Sequence, residues 1–193
     1  MKNQLISLSV SSAPSVEPIS LTEAKLYLKV DTTADNDLIT GIIQSAREEV
    51  EAYTSKRLIT QTLVEYFEFF PHKPWFTLAA SPVQSISSIQ YYDTDNQSQV
   101  MSSGDYVLDG TSTPSRVGLN LDATWPSTAN RLKAVSVTYV AGYGNAAAVP
   151  LRIKEAMYLM IADWYDNRTD PVRSMPTAAV RILDKIRETY FHG

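Results

Sequence analysis

The chain has 193 residues, of which 44% are hydrophobic, enough for one domain with an insertion or two small domains around a real core. A net charge of -4 excludes the strongly basic profile of a free-standing nucleic-acid binder, and the apolar content excludes a disordered chain. The absence of cysteine removes disulfides, thiolate chemistry and cysteine-ligated zinc.

Residues 1–19 alternate apolar residues with serine and carry Pro14 and Pro18, which oppose helix. They read as an extended arm that stays mobile or packs on a neighbouring subunit. The arm lacks the continuous apolar run of a signal peptide, and no stretch approaches the length of a membrane span. The expectation is a soluble protein made in the cytoplasm, with no membrane partner.

Ser20-Leu21-Thr22-Glu23 is a capping-box pattern, and Leu21, Ala24 and Leu28 follow at helical spacing, predicting a helix to about Lys29. After a polar turn at 31–36, Ile39, Ile42, Ile43, Ala46, Val50 and Tyr53 predict a second helix ending near Ser55. Asp35 and Asp37 sit at its start, where the helix dipole favours negative charge. Lys25, Arg47, Glu48, Glu49 and Glu51 read as solvated faces.

From Ile59 the period changes to two. Strands are predicted at 60–69, 75–78, 86–92, 99–101, 106–108, 117–119 and 134–140, separated by turns such as Asp93-Thr94-Asp95-Asn96 and Asp109-Gly110-Thr111. Gly142-Tyr143-Gly144 then returns the chain to helix. Pro150 opens a third helix that is apolar around most of its circumference, as in a core or a shared interface. Pro176 opens a last helix with Ala179, Leu183, Ile186 and Tyr190 on one stripe.

The first and last helices must pack together, since neither pair is long enough to bury itself. The expected fold class is α+β: a small helical domain of about four helices with an inserted antiparallel β unit. The expected boundaries are 1–19 for the arm, 20–58 and 146–193 for the helical domain, and 59–145 for the insertion.

Catalytic patterns are missing. His72 and His192 lack metal-ligand partners at i+3 or i+4, and no serine lies in a nucleophile elbow. Gly142-Tyr143-Gly144 lacks the third glycine and the Lys-Ser/Thr of a phosphate loop, so it reads as a hinge. Asp93, Asp95 and Asn96 lack the glycine and closing glutamate of a calcium loop, so they read as a hairpin turn. Asp163 and Asp166 have no second carboxylate pair and read as helix-end solvation or an inter-subunit salt bridge. Neither an enzyme, a metal nor a cofactor is expected. Arg168, Arg173, Arg181, Lys185 and Arg187 make the last quarter locally basic, either as ordinary surface or facing an acidic partner or DNA.

Two groups of segments carry a resemblance. Residues 21–30, Asp37-Leu38-Ile39, residues 46–54 and residues 58–62 form the first. Residues 140–144, Val149-Pro150, residues 153–156 and Trp164-Tyr165-Asp166-Asn167-Arg168 form the second. In this order and spacing they resemble the head–tail connector (adaptor) proteins of tailed bacteriophages, over roughly residues 20–170. The resemblance implies a virion protein forming a homo-oligomeric ring of roughly twelve copies below the portal protein. Such a ring extends the channel through which genomic DNA passes without sequence-specific binding, and it offers a platform to a downstream neck or tail-completion protein. The C-terminal segment of such adaptors docks on the portal, which points to Arg173, Arg181, Lys185, Arg187 and Tyr190 as contacts. The helices at 35–55 and 150–165 are expected to join subunits, through Tyr53, Met157, Trp164 and Tyr165. The alternative is a receptor- or carbohydrate-binding module. It requires Trp75, Tyr91, Tyr92 and Trp125 in one shallow groove; scattered aromatics count against it.

Overall fold

The computed structural model describes residues 5–168 and 174–187. Its class is α+β. The chain divides into two compact units: Met1–Ala13 with Thr60–Gly142, and Pro14–Ile59 with Tyr143–Gly193.

The first unit holds eight strands, all paired antiparallel. They are β1 (Leu5–Ser12), β2 (Gln61–Phe67), β3 (Trp75–Thr77), β4 (Val83–Tyr92), β5 (Ser98–Val100), β6 (Tyr106–Asp109), β7 (Arg116–Leu119) and β8 (Val135–Ala141). Five form a sheet in the order β1-β2-β8-β4-β5, and three form a second sheet in the order β3-β7-β6. Alternation in β2 and β8 buries Leu63, Glu65 and Phe67 opposite Tyr139, Val137 and Val135. Phe76 of β3 and Val117 of β7 join the same core, with Phe67 and Phe76 meeting edge to face at 5.4 Å. Buried Glu65 accepts from the Tyr139 hydroxyl and, at 2.7 Å, from the Ala79 amide, so the carboxylate is not left to bare desolvation.

The arm is extended over β1, but Leu5–Ser12 is the edge strand of its own chain's sheet, paired with β2. Leu8 and Val10 stand opposite Glu65 and Leu63, and Leu8 packs on the core. A short alternating segment thus satisfies one side of its backbone at home rather than staying unpaired. Residues 14–19 belong instead to the helical unit, where Ile19 is buried.

The helical unit contains α1 (Leu21–Leu28), α2 (Asn36–Thr54), α3 (Leu151–Asp166) and α4 (Thr177–Leu183). The Ser20 capping box is present: the Glu23 amide donates to the Ser20 hydroxyl at 3.2 Å, and the Ser20 amide donates to the Glu23 carboxylate at 2.8 Å. These bonds, the Ser20 side-chain contact foremost, lower the Glu23 pKa. α2 ends where Ser55 turns left-handed, at φ 58. Ile39, Ile42, Ala46 and Val50 of α2 bury against Ile153, Met157 and Met160 of α3, with Ala179 and Leu183 of α4 in the same cluster. Each large aliphatic side chain sunk in this way contributes about 1.5–3 kcal/mol. α1 packs on α2 and α3, while α4 packs on α3 and α2. The first and last helices therefore share a core mainly through the central α3.

Arg47 and Glu51 correct the reading of a solvated α2 face: both are buried. Arg47 Nε bonds Glu17 at 2.7 Å, and its Nη1 lies 3.4 Å from Glu51. Glu51 also accepts from the Leu58 amide at 2.8 Å. Burial pushes the guanidinium pKa down, but the hydrogen bond and charge of Glu17, then the charges of Glu51 and Glu48, outweigh it and the net shift is upward. Half-buried Lys25 donates to the Thr32 carbonyl at 2.7 Å and to Asn36 at 2.9 Å, bracing the turn into α2.

Candidate assembly surfaces

Of the residues expected at a portal contact, Arg181, Lys185 and Arg187 are described and exposed; Arg173 and Tyr190 lie outside the described residues. Their placement follows from how α4 is held. The Trp164 indole donates to the Ser174 carbonyl at 3.1 Å, tying the approach to α4 onto α3. Ala179 and Leu183 anchor the apolar side. At its end, the Tyr53 hydroxyl donates to the Asp184 carboxylate, and the Arg187 guanidinium lies 4.7 Å from the Tyr53 ring centre. The bond to Asp184 is the main cause raising the Tyr53 pKa, followed by burial and the Asp184 charge. The exposed side of this segment thus carries three cations beside one carboxylate.

The residues expected between subunits divide into two pairs. Met157 is fully buried and Trp164 is 4% exposed, both in the core of their own unit. They leave little surface for a neighbour, which corrects their assignment: the apolar side of α3 is covered by helices of its own chain. Tyr53 and Tyr165 are half-buried. The Tyr165 hydroxyl donates to Asp35 at 2.6 Å, while Arg168 approaches the other Asp35 oxygen at 3.6 Å. Asp35 makes no side-chain cap to its own helix and instead ties the end of α3 to the start of α2.

Sequence periodicity missed a surface on α1. Leu26 is 81% exposed and Tyr27 47%, and Tyr27 stacks on Tyr158 of α3 at 4.8 Å. Leu151, at the first position of α3, is 78% exposed. The available signal was a pair of apolar residues off the Leu21-Ala24-Leu28 stripe.

In the β unit the four aromatics separate into a cluster, Tyr91 and Trp125 on Phe70, and two that stand apart from it, Tyr92 and Trp75. Trp125 stacks on Phe70 at 5.0 Å, and Tyr91 meets Phe70 edge-on at 5.8 Å. Tyr92 lies under Arg131 at 3.8 Å. Trp75 stands apart, between Lys73 at 5.1 Å and Arg116 at 4.8 Å. With Lys133 over Tyr66 at 4.6 Å, every lysine and arginine between Thr60 and Gly142 is spread over a ring face. Among the described residues, no ring contact joins Trp75 or Tyr92 to the cluster that Tyr91 and Trp125 form on Phe70.

The sites weighed for chemistry are structural. Asp93 accepts from the amides of Gln97 at 2.9 Å and Asp95 at 3.1 Å and makes a hairpin turn. Gly142 and Gly144 have φ values of 126 and 127, which only glycine adopts without strain. Asp163 accepts from the Asn167 side chain at the end of α3. Among the described residues no group of three or more His, Asp or Glu side chains could hold a metal ion, and no helix is long and apolar enough to cross a membrane.

A protein-family model described as head completion protein matches residues 17–178. This span takes in most of the chain and all of both groups of resemblance segments, and the chain belongs to the head completion protein family. Solved structures share the fold. A chain from the neck of an empty gene transfer agent particle, computed with C6 symmetry, matches with a TM-score of 0.81 at 20% identity, covering 97% of this chain and 98% of that one. A chain of the native gene transfer agent virion matches with the same figures. A chain from the native particle's neck, computed with C12 symmetry, gives a TM-score of 0.78 at 21% identity, again covering 97% of this chain and 98% of that one. No curated protein matches.

Proposed function

We propose that the protein is a structural, non-enzymatic subunit of the neck of a tailed phage or phage-like particle, working as one copy in a ring of roughly twelve below the portal. The family match over residues 17–178 carries this reading, and the shared fold with chains of a gene transfer agent neck supports it. The ring extends the DNA channel and presents a platform for the next neck or tail protein. DNA slides through because the chain is mildly acidic and the β unit's cations are spread over aromatic rings rather than gathered for phosphate contacts.

Arg181, Lys185 and Arg187 are the proposed polar anchors to the portal, on a segment that Tyr53 and Trp164 hold in place. The proposed subunit contacts are Tyr53 and Tyr165 together with the exposed Leu26, Tyr27 and Leu151. The test is the mass of the purified protein by light scattering, alone and mixed with the portal protein of the same particle. A ring-sized species in either sample is the expected result. A monomer that ignores the portal refutes the reading.

A further inference from the structure

Among the described residues the five-stranded sheet has two free edges. One is β1, eight residues long, paired only with β2. Its sequence, Leu5-Ile6-Ser7-Leu8-Ser9-Val10-Ser11-Ser12, has no charge and no proline. Its pairing is irregular at the ends but regular from Ser7 to Val10. Val10 is 52% exposed, and Leu5 and Ile6 are each 36% exposed. The other edge is β5, together with the part of β4 that β5 leaves open. β5 pairs only with Gln90–Tyr92, so among the described residues Gln84–Ser88 has no strand partner on that side, while Gly110 lies against the Val83 carbonyl. β5 is exposed throughout, with Val100 at 65%, and neither β5 nor Val83–Ser88 carries a charge.

Proteins that remain solitary blunt such edges with lysine, proline or inward-pointing charge. The smaller sheet follows that rule: Lys73 lies over Trp75 beside β3, Asp105 precedes β6 and Asp109 is its last residue. The larger sheet has no charge on either edge and is blunted only by the shortness of β5 and the register shifts in β1 and β4. Its four pairings are all antiparallel, so β1 and β5 run in the same direction. A copy rotated about an axis along the strands brings its β5 edge beside the β1 edge of the first, as a parallel pair. The contact uses two different surfaces and repeats head to tail, the type that closes into a ring. Backbone pairing along it supplies hydrogen bonds without needing apolar side chains.

We propose that neighbouring copies in the ring join by this edge-to-edge pairing, the β5 edge of one copy against the β1 edge of the next. The occupant of each edge is a second copy of this chain, because one sheet carries both halves of the contact, uncharged and equally directed. A strand from a different protein would account for one edge only. The inference rests on the ring reading above.

The chain has no cysteine, which makes the contact directly readable. Cysteines are introduced in pairs, Ser9→Cys or Val10→Cys on β1 with Gln99→Cys or Val100→Cys on β5. All four positions are exposed, and adjacent positions cover both faces of the sheet. Strands paired at about 4.8 Å bring cysteines within the roughly 7 Å Cα separation that a disulfide requires. Each variant is oxidised with the portal protein present, while light scattering follows assembly. The expected result is a covalent ladder beyond dimer in at least one double variant, and dimers alone when the matching single variants are mixed. Ring-sized particles without a cross-link in any of the four pairings overturn the edge contact and leave the ring intact. A double variant that stops at dimer overturns the head-to-tail arrangement. If no multi-subunit species forms, the ring reading falls and the contact with it.

Discussion

Replacing Arg47 with alanine tests whether a buried charge cluster organises the helical unit. The Arg47 side chain is 8% exposed and faces three carboxylates: Glu17 at 29%, Glu51 at 7% and Glu48 at 57% exposure. These exposures rank the losses. Glu48 is well solvated, and its 3.4 Å contact is worth about 0–1 kcal/mol. Glu17 loses a short charged hydrogen bond, worth about 1.5–3 kcal/mol. Glu51 loses a buried 3.4 Å contact to the guanidinium while keeping the Leu58 amide, and a hydrogen bond to a charged group of that kind is worth about 1.5–3 kcal/mol. These terms overlap, because one guanidinium serves all three, so the expected loss for R47A is about 3–4 kcal/mol. At roughly 2–4 °C per kcal/mol for a chain of this size, the melting midpoint falls by about 6–16 °C. Helical circular dichroism against temperature and urea reads the change, with E48A as the surface control at about 0.5 kcal/mol. A double-mutant cycle of R47A with E17A should show a coupling of about 1 kcal/mol or more. If R47A costs no more than E48A, the argument from burial is wrong.

Met157→Ala opens a cavity in the helical core and should cost about 2–5 kcal/mol in urea denaturation of the isolated protein. A near-neutral result would return Met157 to the list of interface residues. Asp109 accepts from Ser112 and Thr111, the Ser112 hydroxyl foremost, and its pKa is lowered from 3.8 to about 2. A carboxylate stabilised in the folded state contributes above its unfolded pKa, and the contribution is lost as pH falls through about 4 towards 2. The melting deficit of D109N should therefore be present at pH 7 and vanish near pH 2. A deficit that does not change with pH would show that the carboxylate's charge plays no part in the turn.

What could be read from the chain alone was local. The Ser20-Glu23 capping box, the 3.6-residue stripes of α2 and α3, the period-two runs from Gln61 to Ala141 and the turn residues at Asp93 and Asp109 each depend on near neighbours. They placed an α+β fold and the order of its helices and of the strands from β2 onward. The segments quoted from both ends of the chain led to the family that the match over residues 17–178 shows. Periodicity reports that a helix buries a face but not whether its own chain or another subunit covers it, so Met157 and Trp164 were placed at an interface although they lie in the core. Charge carries no partner in the sequence, so Arg47 and Glu51 read as solvated until Glu17, 30 residues away, and the Leu58 amide closed around them. Only the tertiary structure could put β1 at the edge of a sheet whose next strand starts at Gln61, because strand order is settled by long-range pairing and leaves no periodic trace in either segment.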